Sequence, residues 1–344
     1  MNESRRPMSV LSVVRDILNE RSRWLDSAIK NRVGRFLRGF MSLSYAATVP
    51  RHLVHRRSPA DVLLTDYETV DGTHRAAVQL PTSHRMFAPV RRTHDSLMVA
   101  EALRQAISLF SHVNHGVPLD HVVFIEHSRF EILDPLSVDD IEDSLVAESI
   151  TTDVTFENES LDNMKLSARL LNGTHLVASG TASVRTIGPE VYSQVRKSTV
   201  ADPHFRFLPA GTEVVPPSSV GRLDPSDVVL ARHTSDGTIV VAPDPRNLAM
   251  FDHSVEYLPG VTMLEAARQA LRLATGTPAL DFTSCEVRFM GFAEWTNPCS
   301  VIVDTDSTDG VFRIQFEHDG AVLSAMSVTA TSEPWLAPTD RSSR

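Results

Sequence analysis

The chain is 344 residues long, 42% hydrophobic and 22% charged, with a net charge of −10. That is the composition of a globular protein large enough for two or three domains, and its acidity argues against wholesale nucleic-acid binding. Two cysteines without CxxC spacing make no disulfide framework, no apolar run can span a membrane, and Arg15 and Asp16 interrupt the one short apolar run near the start, so a cytoplasmic protein without a signal peptide is expected.

In chain order, residues 1–47 stand apart. They hold nine Arg or Lys against four Asp or Glu, and apolar residues recur at helical spacing from Val14 to Phe40. This predicts a basic amphipathic extension that either packs on the body or docks an acidic partner or anionic surface. From residue 61 the texture turns to β. Segments 61–67 and 73–80 read as strands around Asp71-Gly72, a hairpin signal. An apolar helix over 97–110 follows, then strands over 122–132, 145–156, 164–171 and 176–185. Residues 188–224, with Pro216-Pro217-Ser218-Ser219, show no period and read as a linker. The order then repeats: short strands at 228–233 and 238–242, a helix over 261–274, and longer strands at 282–292, 300–304, 311–317 and 321–331.

Both helices are apolar nearly all round, which marks core helices. Yet they share one polar phrase, Glu101-Ala102-Leu103-Arg104-Gln105-Ala106 and Glu265-Ala266-Ala267-Arg268-Gln269-Ala270. Glu and Arg are almost never buried without partners, so a polar site is expected in each copy. A helix can bury its whole circumference only if a sheet curls around it. The predicted fold is therefore α+β, a double hot-dog with two tandem copies, each a curved antiparallel sheet around one long helix. The first copy takes residues 48–187 and the second 225–335, with the linker at 188–224 and a tail at 336–344.

Before the second helix, His253 precedes Pro259-Gly260, and Glu265, Arg268 and Gln269 follow on one helical face. The amides at such a helix start can polarise a carbonyl or hold an oxyanion. Imidazole, carboxylate and helix start together supply a base, an acid and an electrophile. The order His, Pro-Gly, Glu-Ala-x-x-Gln is similar to the active-site segment of hot-dog β-hydroxyacyl-carrier-protein dehydratases. Here the loop is shorter and Arg268 is added, a permanent cation suited to a phosphorylated substrate.

Three segments carry a wider resemblance: Thr48 through His55-Arg56 to Asp66; Arg92-Thr93-His94-Asp95 through Glu101 to Gln105; and Asp252-His253 through Pro259-Gly260 to Gln269. In this order they resemble the A-factor-type γ-butyrolactone synthases (AfsA-like proteins), over about residues 48 to 335. Where that family's pattern has a second Asp-His pair, this chain has Glu256-Tyr257. The resemblance implies an acyltransferase that moves a β-ketoacyl group from acyl carrier protein (or acyl-CoA) to the hydroxyl of dihydroxyacetone phosphate. The product would be the precursor of a γ-butyrolactone, butenolide or alkylfuran signal for antibiotic control, made without metal or redox cofactor. On this view Glu265 and His253 transfer the proton, amides near Gly260 hold the oxyanion, and Arg268 with Gln269 binds the phosphate. His94, Glu101, Arg104 and Gln105 of the first copy would line the tunnel or complete the neighbouring site.

Two alternatives are carried forward: a hot-dog dehydratase or thioesterase on acyl-carrier-protein substrates, and a non-catalytic acyl-binding regulatory protein. A homodimer is compatible with either the tandem or a paired arrangement. No HExxH, GxGxxG or P-loop is present, so zinc, dinucleotide and ATP chemistry have no support.

Overall fold

The computed structural model describes residues 43–88, 92–139, 145–157, 160–196, 208–252, 256–295, 297, 299–306 and 309–332. The chain separates into two units, residues 1–44 and 45–344. All but two residues of the first lie outside the described residues, as do the expected basic helix within 1–42 and the tail at 336–344. Every helix and strand named below belongs to the second unit.

Strands β1 (Leu64–Val70) and β2 (Thr73–Val78) pair antiparallel. Asp71 and Gly72 join them with φ of 50° and 78°, the left-handed pair that a two-residue hairpin turn requires. Helix α1 (Ser96–His115) comes next; the Asp95 carboxylate accepts from the Leu97 amide at its start, and Gly116 at φ 68° ends it. Then come β3 (Val122–Ile132), β4 (Leu145–Glu157), β5 (Ser160–Asn172) and β6 (His175–Ile187).

The second half repeats the plan. Strands β8 (Leu230–His233) and β9 (Ile239–Val241) precede helix α3 (Gly260–Thr275). Strands β10 (Asp281–Phe289), β11 (Ser300–Asp304), β12 (Phe312–His318) and β13 (Ala321–Thr331) come after it. Between the halves, residues 188–224 are more than the linker read from sequence. They hold a short helix α2 (Pro189–Val195), strand β7 (Thr212–Val214) and a 3-10 turn at Pro217–Val220. Pro189 after Gly188 is a helix-start signal, whereas three residues are too few for β7 to show alternation.

The thirteen strands among the described residues form one antiparallel sheet in the order β1-β2-β4-β5-β6-β3-β10-β13-β12-β11-β9-β8-β7. Outward from the β3–β10 seam the two sides mirror each other, and β7 is added at one edge. The seam pairs Ser284 with Glu131 through Arg288 with His127. Apolar residues of both helices, among them Leu97, Leu109 and Phe110 of α1 and Ala266 and Leu271 of α3, join one continuous core cluster. Among the described residues no helix is long and apolar enough to cross a membrane.

Candidate active site

Each half ties its helix phrase to the loop that enters its first strand. In the first half the 3-10 turn Arg51–Val54 ends in His55 at φ 52°, and Arg56 then turns inward. Its guanidinium reaches Glu101 at 2.6 Å, and Arg104 holds the same carboxylate through Nε at 2.7 Å and Nη2 at 2.8 Å. Gln105 donates to Glu101 and to the Asp61 carbonyl, both at 2.8 Å, and accepts from the Leu63 amide at 2.8 Å.

The second half repeats this bond for bond. Arg222 reaches Glu265 at 2.6 Å, and Arg268 holds it through Nε at 3.0 Å and Nη2 at 2.6 Å. Gln269 donates to Glu265 and to the Asp227 carbonyl and accepts from the Val229 amide. The glutamine thus clips each helix to the strand entry. Arg56 and Arg222 were not picked out as a matched pair from the sequence. The signal was there: Val54-x-Arg56-x-x-Pro59-x-Asp61-Val62 recurs as Val220-x-Arg222-x-x-Pro225-x-Asp227-Val228.

Burial alone pushes both glutamates upward, but the flanking arginines overrule it. Arg222 and Arg268 hold Glu265 down at about 2, and Arg104 and Arg56 hold Glu101 well below the usual carboxylate range.

The two clusters differ in what lies beside them. In the second half the site is closed. Arg268 donates to Asp95 from the start of α1 and to Asp281, both at 2.8 Å, and neither Glu265 nor Arg268 has any exposed surface. Arg272, one turn further along α3, fills the adjoining space and donates to the Val220 and Leu280 carbonyls. Gly221 permits this, because a Cβ there would collide with the Pro278 carbonyl and press on Arg272. A cavity of only about 130 Å³ remains beside His94, Asp95 and Arg272.

In the first half the site is open. Ser108 stands where the second half has Arg272, and His55 where it has Gly221. A cavity of about 800 Å³ runs from His55, Arg56, Glu101 and Arg104 past Leu103, Ile107, Val123, Ile125 and Phe130. The start of α3, including Pro259, Gly260 and Val261, lines the same cavity. Pro259 caps that helix without a side-chain hydrogen bond, where Asp95 caps α1 with a carboxylate. Arg104 therefore meets no counterpart of Asp95 there, and its side chain stays 28% exposed. Gly260 allows the helix start to approach the Phe289 ring, which a Cβ would meet at 3.3 Å.

The expected site residues are thus divided. Glu101, Arg104 and Gly260 line one cavity, contributed from both sides of the seam. Glu265, Arg268 and Gln269, expected to catalyse and to bind phosphate, do not line it. Asp95 and Asp281 already occupy the Arg268 guanidinium, so the phosphate seat expected there is filled by protein. Gln105 is buried behind Glu101 as a clip. His94 borders the small cavity, and burial pushes its imidazole down to about 4. His253 lies outside the described residues. Tyr257 lines the large cavity beneath the Arg196 guanidinium, 5.4 Å away, and burial pushes its phenol upward.

Residues 42–188 and 206–332 both match the family model described as the A-factor biosynthesis hotdog domain, AfsA. The chain belongs to the AfsA family. As an AfsA-family protein it has the hot-dog fold, here as a large antiparallel sheet with few helices. A relative from Streptomyces virginiae, named 2-oxo-3-(phosphooxy)propyl 3-oxoalkanoate synthase, is 30% identical over 283 residues, covering 80% of this chain and 95% of its own. One of the same name from Streptomyces coelicolor is 31% identical over 257 residues, covering 74% and 81%. Among solved structures, an acyl-ACP thioesterase from Bacteroides thetaiotaomicron aligns with TM-score 0.44 and 8% identity, over 76% of this chain and 97% of that one. A MaoC-like dehydratase from Phytophthora capsici aligns with TM-score 0.33 and 17% identity, over 62% and 72%.

Proposed function

We propose that this AfsA-family chain is a double hot-dog acyltransferase that moves a β-ketoacyl group from an acyl-carrier-protein thioester to the hydroxyl of dihydroxyacetone phosphate. The two hot-dogs span 48–187 and 225–335. The reaction would take place in the cytoplasm and yield the precursor of a γ-butyrolactone, butenolide or furan signal. The observation that carries the proposal is the asymmetry of the two clusters. One arginine–glutamate–arginine set is sealed by protein carboxylates, and its twin opens on a largely apolar cavity that is also lined by a helix start without a side-chain cap.

The apolar stretch suits the acyl chain. The thioester carbonyl would lie against the start of α3, where the Gly260 and Val261 amides and the positive helix end stabilise the developing oxyanion. The phosphate would sit on Arg104, in the place that the Asp95 and Asp281 carboxylates hold on Arg268. Glu101, held ionised between two arginines, is a poor base and instead fixes the direction of both guanidinium groups. The same reasoning moves Glu265 from catalysis to architecture. His253 remains a proposed proton-transfer group, tested by substitution in the same assay.

The test is mass spectrometry of the protein with a β-ketoacyl-carrier-protein or its thioester mimic, with and without dihydroxyacetone phosphate. A phosphorylated ester or butenolide that needs both substrates, and whose formation at low dihydroxyacetone phosphate falls in Arg104→Met, supports the proposal. Release of water or free acid without the acceptor points instead to a dehydratase or thioesterase. Tight acyl binding without turnover points to a regulatory binding protein.

A further inference from the structure

We infer that Arg196 is a positioning residue for acyl transfer. It holds the start of α3, and with it the amides proposed to bind the oxyanion, without lining the substrate cavity itself. The role rests on the acyl-transfer proposal.

Arg196 follows α2, in the segment that reads from sequence as a linker, and its amide closes that helix on the Tyr192 carbonyl. Its side chain is only 5% exposed. Nη1 and Nη2 donate to the two carboxylate oxygens of Glu294 at 2.6 and 3.0 Å, and Nη2 also donates to the Glu256 carbonyl at 2.7 Å. The guanidinium carbon lies 4.7 Å from the centre of the Phe292 ring and 5.4 Å from that of Tyr257. Tyr192 adds a hydrogen bond to the Glu256 carboxylate at 3.0 Å. One buried cation thus ties residues 256–257 to residues 292–294.

These two loops frame the start of α3. Glu256 lies four residues before Gly260, and the Leu258 amide donates to the Ala293 carbonyl at 2.8 Å. Tyr257, Leu258, Pro259, Gly260, Phe292 and Ala293 all line the large cavity, and Arg196 does not.

The other half shows what the arginine replaces. There the same backbone tie, from the His94 amide to the Leu136 carbonyl at 2.9 Å, precedes α1. That helix is then fixed through its own amides: Asp95 accepts from Leu97, Asp281 accepts from Ser96, and Arg268 donates to both carboxylates. Those amides are taken before any substrate arrives. No side chain caps α3, so its direction has to be set by something other than its amides. Arg196 sets it through the two loops. Donors stabilise an oxyanion best when they are already in place and need not move during the reaction. A planar fork can brace two loops at once and stack on rings, which an ammonium cannot do.

Kinetics with a spectroscopic readout test this. The Glu256 and Glu294 side chains are 33% and 29% exposed, so water can take the arginine's place and Arg196→Gln should fold. Its kcat for acyl transfer should fall roughly 10- to 100-fold, the scale of a small misplacement of reacting groups, while KM for dihydroxyacetone phosphate holds. Arg196→Lys should recover little of the loss. Infrared difference spectra of a bound thioester with an isotope-labelled carbonyl, taken without acceptor, should place the band below its solution frequency in the parent. In Arg196→Gln, at saturating thioester, the band should move back toward the solution value. Glu294→Gln keeps the arginine and weakens its hold, so it should move kcat and the band the same way by less, and it carries the test if Arg196→Gln misfolds. An ion pair that only stabilises the fold would change Tm and neither of these. If the parent protein makes no acceptor-dependent ester, the acyl-transfer proposal falls and this one with it. If the parent does, and its band sits at the solution value or a folded variant keeps either its kcat or its band, the assignment of Arg196 alone is overturned.

Discussion

Replacing Glu265 by Gln separates architecture from chemistry at the sealed cluster. The carboxylate has no exposed surface and receives hydrogen bonds from Arg222, Arg268 and Gln269. Its hold at about 2, against an ordinary 4.5, corresponds to about 3 kcal/mol of stability at neutral pH. Breaking a buried pair from one side costs about 3–5 kcal/mol, so both routes agree. Glu265→Gln should therefore lower Tm by roughly 6–20 °C at pH 7, at about 2–4 °C per kcal/mol for a large domain. The direction of the shift sets the sign with pH. A depressed carboxylate contributes fully above its unfolded value of 4.5, and that contribution is lost as pH falls toward 2. Denaturant titrations of parent and variant from pH 7 to pH 3 should show the stability gap narrowing as pH drops. A variant as stable as the parent at pH 7 but devoid of acyl transfer would refute this, and would return Glu265 to the chemistry.

Arg104→Met should raise KM for dihydroxyacetone phosphate roughly 10- to 100-fold, the worth of a hydrogen bond to a charged group, and leave unphosphorylated dihydroxyacetone turnover little changed. Ser108→Arg copies Arg272 of the sealed half, so calorimetry should find acyl-thioester binding abolished in a protein that still folds. At Gly221, alanine meets both a left-handed backbone, costing about 1–2 kcal/mol, and the Pro278 carbonyl, so Tm should fall by more than the backbone term alone. Ala168 lines the cavity; Ala168→Phe should shorten the longest acyl chain accepted, read by competition between thioesters of different length.

Much of the fold was legible because its signals are local and repeated. Alternating strands, Asp-Gly turns and two apolar helices each declare themselves within a dozen residues. The short strand β7 and helix α2 escaped because neither spans enough residues to show a period. The site was harder for a different reason. The six-residue phrase identified both clusters, but it is nearly the same in each, and the open one was assigned the lesser role. What decides between them lies outside the phrase: serine against arginine at 108 and 272, histidine against glycine at 55 and 221, aspartate against proline at the two helix caps. Each contrast reads as ordinary variation until the fold sets the two halves against each other. The Pro259-Gly260 signal was read as a helix start, and α3 does begin at Gly260, which lines the large cavity. It was paired with the glutamate of its own helix, whereas the seam turns it toward the glutamate of the other.

The seam has a further consequence for how such a protein can change. In an assembly of two identical subunits every substitution is made twice, so a residue that plugs one site plugs both. A chain that carries both sides of the β3–β10 seam has separate codons for positions 108 and 272. One side can then be sacrificed as scaffold, its cations quenched and its hollow packed, while the other is free to widen for a new acyl chain.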